Sequence, residues 1–308
     1  MSAPVALRNN YPALYGTAML PVLEELFMSE WEQQPAVREQ LFDVRTTDRD
    51  IWQSTELLDL PAFAAISEGA EYTYSRPNSG ANKTFTPAKF GGGFAVSREM
   101  VEDGRFDLIA SMSRKLAEAG RATQEIAAMN VFNNAFGSTL AQDGLSLINA
   151  SHVIGGTTFS NVISGNPDLS ESALQAALSA YERAFVGNTG FIKKITPRIL
   201  VVAPENKRYA MELVGSEGKP DTADNNMNSL RQDGLTVISS PYLTDPDAWF
   251  LMAKPADTGL KLVIRQALRT QSNADSVGFH TDSIYFKASY REDIGVSRAQ
   301  GILGSSGT

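Results

Sequence analysis

The sequence has no cysteine, which removes disulfides, thiolate metal sites and cysteine nucleophiles from its chemistry. Histidine is nearly as scarce. His152 and His280 are the only two, and neither stands in a metal-ligand spacing such as H-E-x-x-H, so structural hydrogen bonding is the expected role of each. No apolar run approaches the roughly 20 residues of a membrane span, and no basic segment leads into an apolar core at the N-terminus as a secretory signal would. No G-x-S-x-G nucleophile elbow occurs. Runs of lysine or arginine are also missing: 27 basic residues are scattered among 35 acidic ones, for a net charge of −8. A surface that grips phosphates carries clustered cations, so tight, direct nucleic-acid binding is not expected. A container is a different case, because a neutral or acidic inner wall keeps packed polymer from sticking. Acidic neighbours such as Glu24-Glu25 and Glu292-Asp293 read as solvated faces, since 35 acidic residues produce such pairs by chance. No catalytic residue, metal ligand or cofactor site emerges, and the lack of cysteine fits assembly in a reducing cytoplasm.

What is present is a chain of 308 residues, 43% hydrophobic and 20% charged, ordinary for one large or two modest folded cores. Residues 1–50 read as an arm, broken by Pro4, Pro12, Pro21 and Pro35 into pieces too short to bury their own apolar groups. A short helix is expected from Pro21, which suits a first helical position, with Glu24 and Glu25 near its start complementing the dipole. Its Leu23, Leu26, Phe27 and Trp31 need a partner surface, on this chain or on a neighbouring subunit. Residues 51–95 read as an extended excursion: Glu71–Ser75 and Lys83–Thr86 alternate like strands, with turn chemistry over residues 76–82 between them. A two-stranded ribbon is marginal alone, so it needs something to lie on. Gly91, Gly92 and Gly93 close it, as a hinge at its base or as a loop needing permissive backbone angles. They do not form a phosphate cradle, since the strand, spacing and lysine of a P-loop are missing.

From Asp107 to Phe136 the spacing predicts one helix of about 30 residues, roughly 45 Å long, with Leu108, Met112, Leu116, Ala119, Ile126, Met129 and Phe136 on one face. Arg114, Lys115, Glu118, Arg121 and Glu125 are left for its wet side, and Gly120 sits mid-helix at about 1 kcal/mol relative to alanine. A second helix is expected to be capped by Ser170 and stapled by Leu169, burying Leu174, Leu178, Tyr181 and Phe185. Strands are expected at residues 199–202, 235–238, 249–252, 260–264 and 284–290, a short helix from Pro204 to Val214, and a polar loop over residues 215–229 that contains Asn225, Asn226 and Asn228. The result is α+β without a repeated βαβ unit or an internal repeat.

Several short segments resemble tailed-phage major capsid proteins, in that family's order, over roughly residues 60–300. Ala64-Ala65-Ile66-Ser67-Glu68-Gly69-Ala70-Glu71-Tyr72 is similar to the "EGA" stretch entering their extended loop. Phe94-Ala95-Val96-Ser97-Arg98-Glu99, followed by Asp103, resembles the strand and "SRE…D" step before their spine helix. Asp143-Gly144-Leu145, with His152 nearby, is similar to the turn after the spine in Mu-like head subunits. Leu200-Val201-Val202-Ala203-Pro204 resembles the axial-domain strand, and Tyr285-Phe286 with Arg291-Glu292-Asp293-Ile294-Gly295 the closing peripheral strand and turn.

The resemblance implies the Hong Kong 97-like fold: an N-terminal arm (1–50), an extended loop (51–95), a peripheral domain (96–164) on the spine helix 107–136, an axial domain (165–275), and a return strand with a Ser/Gly-rich tail (276–308). It implies hexamers and pentamers tiling an icosahedral virion shell around packaged double-stranded DNA, assembled in a host bacterial cytoplasm with no membrane, alongside a portal, a scaffolding protein separate from this chain, and room for a decoration protein. On this reading Leu23, Phe27 and Trp31 dock the arm on a neighbour, Glu68, Tyr72, Tyr74 and Phe85 anchor the loop on one, and Gly91, Gly92 and Gly93 form its hinge. One departure stands out. Relatives that cross-link their shells join a lysine near the "EGA" stretch to a late asparagine, whereas here Glu71 and Tyr72 follow that stretch and no asparagine occurs after Asn273. A non-covalent shell is expected. The competing readings are an encapsulin-like compartment, which would hold a cargo enzyme in place of DNA, and a cytosolic enzyme with an unrecognised site.

Overall fold

A computed structural model describes residues 20–34, 36–76, 78–218, 228–272 and 283–307. Pro4, Pro12, Pro35, Asn225, Asn226 and His280, like Pro77 of the expected turn, lie outside them. Two four-stranded sheets and one long helix organise the rest.

The arm helix α1 (Leu20–Gln33) carries its large side chains at i, i+4 and i+8, the spacing of a single helical stripe. That stripe lies across the long helix α4 (Phe106–Asn133, 28 residues). Leu23 packs with Val96, Val101, Ile109 and Ile284, while Phe27 and Trp31 pack with Ala117, Phe286, Ala288 and Tyr290. Burying such groups contributes about 1.5–3 kcal/mol apiece. Two hydrogen bonds fix the crossing: Ser113 Oγ donates to the Leu23 carbonyl at 2.8 Å and Arg121 Nε to the Trp31 carbonyl at 3.1 Å. The second reaches a carbonyl of the helix's last turn, where backbone acceptors lack intrahelical partners. The Arg121 guanidinium also lies 4.7 Å from the Trp31 ring centre, a cation–π contact.

The long helix falls close to the expected span, and Met129 is buried as expected with Leu116 and Phe136 partly so, but the rest of its buried face is rotated from the expected one. Ile109, Ser113, Ala117, Gln124, Ala128 and Val131 point inward, whereas Leu108 and Ile126 are exposed. The reason is size. Where α1 crosses, the inward positions Ser113, Ala117 and Gly120 are small so that two helices can approach closely, and apolar bulk therefore misreports the face. A Cβ on Gly120 would lie 2.7 Å from Trp31 Cζ3. The glycine that weakens the helix is the floor on which the tryptophan sits.

Beneath both helices lies the first sheet, ordered β1 (Asp43–Thr46), β10 (Leu260–Ser272), β11 (Ser283–Val296), β4 (Ala88–Ser97). Along β11 the alternate residues Ile284, Phe286, Ala288, Tyr290 and Glu292 are buried, the period of a strand with one covered face. Glu292 is held by Arg38 Nη1, which donates to both carboxylate oxygens at 2.8 and 2.9 Å, and by Gln124 Nε2 at 3.2 Å. Arg38 opens the short helix α2 (Arg38–Leu41), so this buried pair ties the end of the arm to β11, and the flanking α4 joins it through Gln124. Burial pushes the Glu292 carboxyl above its ordinary value, with the Arg38 guanidinium opposing the shift.

The second sheet is ordered β12 (Ile302–Ser305), β9 (Trp249–Met252), β7 (Ile199–Val202), β8 (Thr236–Ser239). It shares the main core with α5 (Glu171–Ala184), α6 (Lys207–Gly215) and the C-terminal half of α4. Ser170 caps α5 by accepting the Ala173 N–H at 3.2 Å, and Leu174, Tyr181 and Phe185 are buried as expected. The helix after Pro204 starts later than expected, at Lys207. The end of the chain differs more: it does not trail off as a Ser/Gly-rich tail. Ile302–Ser305 is a wholly buried edge strand, with Gly304 placed against Ile148 and Phe250.

The excursion between the sheets also differs. Its ribbon pairs β2 (Trp52–Leu57) with β3 (Ser79–Phe85). Residues 71–75 form no strand, and residues 79–82 of the expected turn belong to β3; the described stretch 58–76 is the ribbon's tip.

Candidate subunit interface

The root of the excursion is fixed to the body. Trp52 and Phe85 pair across the ribbon with ring centres 5.3 Å apart, and Phe85 lies against Gly295. Lys83 Nζ donates to the Leu140 carbonyl at 2.9 Å and Gln142 Nε2 to Glu56 Oε2 at 2.6 Å. Where the tip begins, the Asp59 N–H donates to Asn188 Oδ1 at 2.7 Å and Lys193 pairs with the Asp59 carboxylate at 3.5 Å.

Beyond that clasp nothing within the described residues covers the tip. Leu60, Phe63, Ile66 and Tyr72 are exposed and Tyr74 is 90% exposed. Its internal order is a closing hydrogen bond at its base, from the Leu58 N–H to the Asn78 carbonyl at 3.0 Å, and one turn, in which the Ala70 N–H donates to the Ser67 carbonyl at 3.1 Å. Among the described residues Glu68 and Glu71 have no ion-pair partner. Exposed apolar side chains gathered on one loop mark an interaction site, and a tip with so little internal bonding cannot bury them alone.

The expected interface residues therefore divide. Glu68, Tyr72 and Tyr74 are on the uncovered tip, free to meet another molecule. Leu23, Phe27, Trp31 and Phe85 are not: each is buried by its own chain, Trp31 being the least so at 8% exposed, and none keeps a surface to dock elsewhere. For the arm residues the cause is the one-sided helical stripe, which finds its groove on α4. The hinge expectation is corrected as well. Gly91, Gly92 and Gly93 lie within β4, paired in register with Ser289, Ala288 and Lys287. They are glycines because of close approach: a Cβ on Gly93 would meet the Phe286 carbonyl at 2.6 Å and one on Gly92 would meet Leu116 Cδ1 at 3.2 Å. Phe63 is fully exposed and was missed from the sequence, because a lone aromatic among alanines has no periodicity to single it out.

His152 is held by partners within its own fold. It is buried, with Nδ1 2.6 Å from Asp143 Oδ2, Nε2 3.1 Å from the Leu147 carbonyl and its ring stacked on Phe159. It joins the two ends of the turn after α4. Among the described residues no group of three or more potential ligands could hold a metal, and no helix is long and apolar enough to cross a membrane.

A spine helix beside a sheet, a second sheet-centred core and an uncovered extended loop together define a subunit of the Hong Kong 97-like fold. Solved structures share it. The virus-like particle from Pyrococcus furiosus is 14% identical with a TM-score of 0.56, covering 94% of this chain and 100% of that one. The capsid of Cyanophage P-SCSP1u is 14% identical with a TM-score of 0.60, covering 88% of each chain. The capsid of the native GTA particle is 14% identical with a TM-score of 0.54, covering 85% and 86%. No curated protein sequence matches. Residues 81–304 match the model of a phage capsid protein family. The chain belongs to that family, and it is a major capsid protein: a structural subunit of a phage shell.

Proposed function

We propose that this subunit assembles as hexamers and pentamers into the icosahedral shell of a tailed phage of the Mu-like head type, enclosing double-stranded DNA without reading its sequence and carrying out no catalysis. The observation that carries this reading is the uncovered tip of residues 60–76, which no described part of the same chain buries. Covered by another copy, its Tyr72, Tyr74 and Phe63 become interface anchors of the aromatic kind that dominates binding energy. In this reading the first sheet and α4 form the peripheral domain and the second sheet the axial domain. A separate scaffolding protein and a portal take part in assembly in the host cytoplasm, and a decoration protein can be added outside.

The test is assembly itself. Purified protein should elute from size-exclusion chromatography as capsomers or megadalton particles, each copy burying more than the ~1,600 Å² of a standard interface. A stable monomer or dimer at high concentration would refute the reading. Particles from infected cells should protect DNA against nuclease. Without a lysine in the "EGA" stretch or an asparagine after Asn273, denaturing electrophoresis of those particles should give one band near 33.3 kDa; a covalent ladder would contradict the non-covalent shell.

A further inference from the structure

A hollow lies where the arm helix, the long helix and the first sheet meet. On the covered face of that sheet Phe94 pairs with Phe286 and Phe90 with Tyr290, each with ring centres 5.4 Å apart. The register position between these two ring pairs holds Gly92 opposite Ala288, so one rung of the sheet has almost no side chain. The helices do not fill the gap. Ala119 and Gly120 of α4 are small, and Trp31 of α1 leans over Gly120 with its ring centre 6.4 Å from that of Tyr290. What remains is a cavity of about 170 Å³, comparable to the ~150 Å³ apolar cavity that stays dry in water yet takes up benzene. It opens along β4, the edge strand, where Phe90, Gly91 and Gly92 are exposed.

We propose that this cavity binds a small molecule of one aromatic ring carrying one hydrogen-bonding substituent. The inference goes beyond the assembly reading and does not depend on it. Three observations point to this ligand. The walls are aromatic, and rings gain most from stacked or edge-on contact with another ring. The volume fits a single ring, and a polypeptide segment is shut out because the sheet floors the space and two helices of the same chain roof it. The third is an unused polar group. Tyr290 lines the cavity and is only 5% exposed, yet among the described residues its hydroxyl has no hydrogen-bond partner. A buried phenol normally finds one, and a substituent on the bound ring supplies it. No charged side chain among the described residues lines the cavity, so an ionic ligand would lose its hydration without compensation. An occupant would bridge α1 to the sheet and, binding only the folded chain, would stabilise it by mass action.

The test uses two probes, 4-fluorophenol and fluorobenzene, titrated against the full-length protein and followed by fluorine NMR. Both should bind saturably at one site per chain, with 4-fluorophenol about three- to tenfold tighter, the worth of one hydrogen bond. Tyr290→Phe should leave the affinity for fluorobenzene within about twofold and bring 4-fluorophenol down to it, whereas a tyrosine that only shapes the fold would shift both probes alike. Ala288→Leu fills the cavity from the sheet side and should abolish binding of both probes while the circular dichroism of the parent is retained. The proposal is overturned if neither probe saturates, if a folded Ala288→Leu still binds, or if the preference for 4-fluorophenol survives in Tyr290→Phe. Should Ala288→Leu fail to fold, the Tyr290→Phe comparison decides alone. The titrations are run on dissociated subunits and on particles. Binding by subunits that vanishes in particles would assign the cavity to a side chain of a neighbouring copy and would also overturn the small-molecule site.

Discussion

The arm helix and the loop tip are comparable in size and apolar content, yet they meet opposite fates. The helix places Leu23, Phe27 and Trp31 on one stripe, and the stripe is buried on α4 and the first sheet of the same chain. The tip scatters Leu60, Phe63, Ile66, Tyr72 and Tyr74 without a period, and all five stay exposed. Apolar content alone does not decide whether a segment belongs to its own fold or to an assembly. Here periodicity separates the two, because the regular helix presents its apolar groups to one groove within the chain, while the tip has no such stripe.

Two substitutions would break this comparison if it is wrong. Replacing residues 60–76 by a Gly/Ser linker should have the largest effect on particles, abolishing them in electron micrographs. The same change should leave the unfolding midpoint of the dissociated subunit within about 2 °C of the parent, since surface changes without partners are usually within ±0.5 kcal/mol. Trp31→Ala should do the reverse at the subunit level, destabilising it by about 3–5 kcal/mol in urea unfolding, the usual cost of emptying a buried aromatic site. A destabilised linker variant beside an unaffected Trp31→Ala would invert the assignment of the two segments.

Gly120→Ala sharpens the same contrast on a smaller scale. Helix propensity alone favours alanine by about 1 kcal/mol, so at a solvent-facing position the change would stabilise. Here the added methyl meets Trp31 Cζ3, and overpacking of that kind costs about 1–3 kcal/mol. Calorimetry should show a lower melting temperature, and recovery in a Gly120→Ala, Trp31→Phe double variant would identify the clash as its cause. A stabilised single variant would mean that the arm helix does not rest on α4.

The sequence was most legible where side-chain periodicity and backbone punctuation agree. Ser170 marked the start of α5, the β-branched and aromatic runs marked β7 and β9 residue for residue, and the helical spacing of apolar residues located the long helix. It was least legible where close packing replaces bulk. Ser113, Ala117 and Gly120 form the inward face of α4 without looking hydrophobic, and Gly91–Gly93 look like a loop while lying in a strand. The strand β12 hides in a Ser/Gly-rich segment because Gly304 is required against Ile148 and Phe250. For the tip, the reading identified Tyr72 and Tyr74 but paired the wrong strands, since β3 meets β2 from earlier in the chain and local alternation cannot reveal a non-local partner.

The smallest expected effect concerns charge at the junction where the arm is fastened. Glu125 is buried on α4; its Oε1 accepts the Arg38 N–H at 3.4 Å, and its Oε2 has no partner. Burial holds its carboxyl above the ordinary value of 4.5, opposed by the nearby Arg38 and Arg121, with Glu292 and Glu39 completing the charged surroundings. A carboxyl that binds its proton more tightly in the folded state contributes stability that is full below its unfolded pKa and is lost as pH rises through the folded value. Ionising Glu125 therefore weakens the fold. Glu125→Gln keeps the shape and an acceptor for Arg38, so it should raise the melting temperature slightly at pH 7 and leave it unchanged near pH 4. Glu292→Gln is the control. Its burial shift has the same direction, but neutralising it strands the buried Arg38, so at pH 7 it should destabilise by about 3–5 kcal/mol. If both variants destabilised equally, Glu125 would be a working member of the ion network, and the arm would be fastened by two carboxylates and not one.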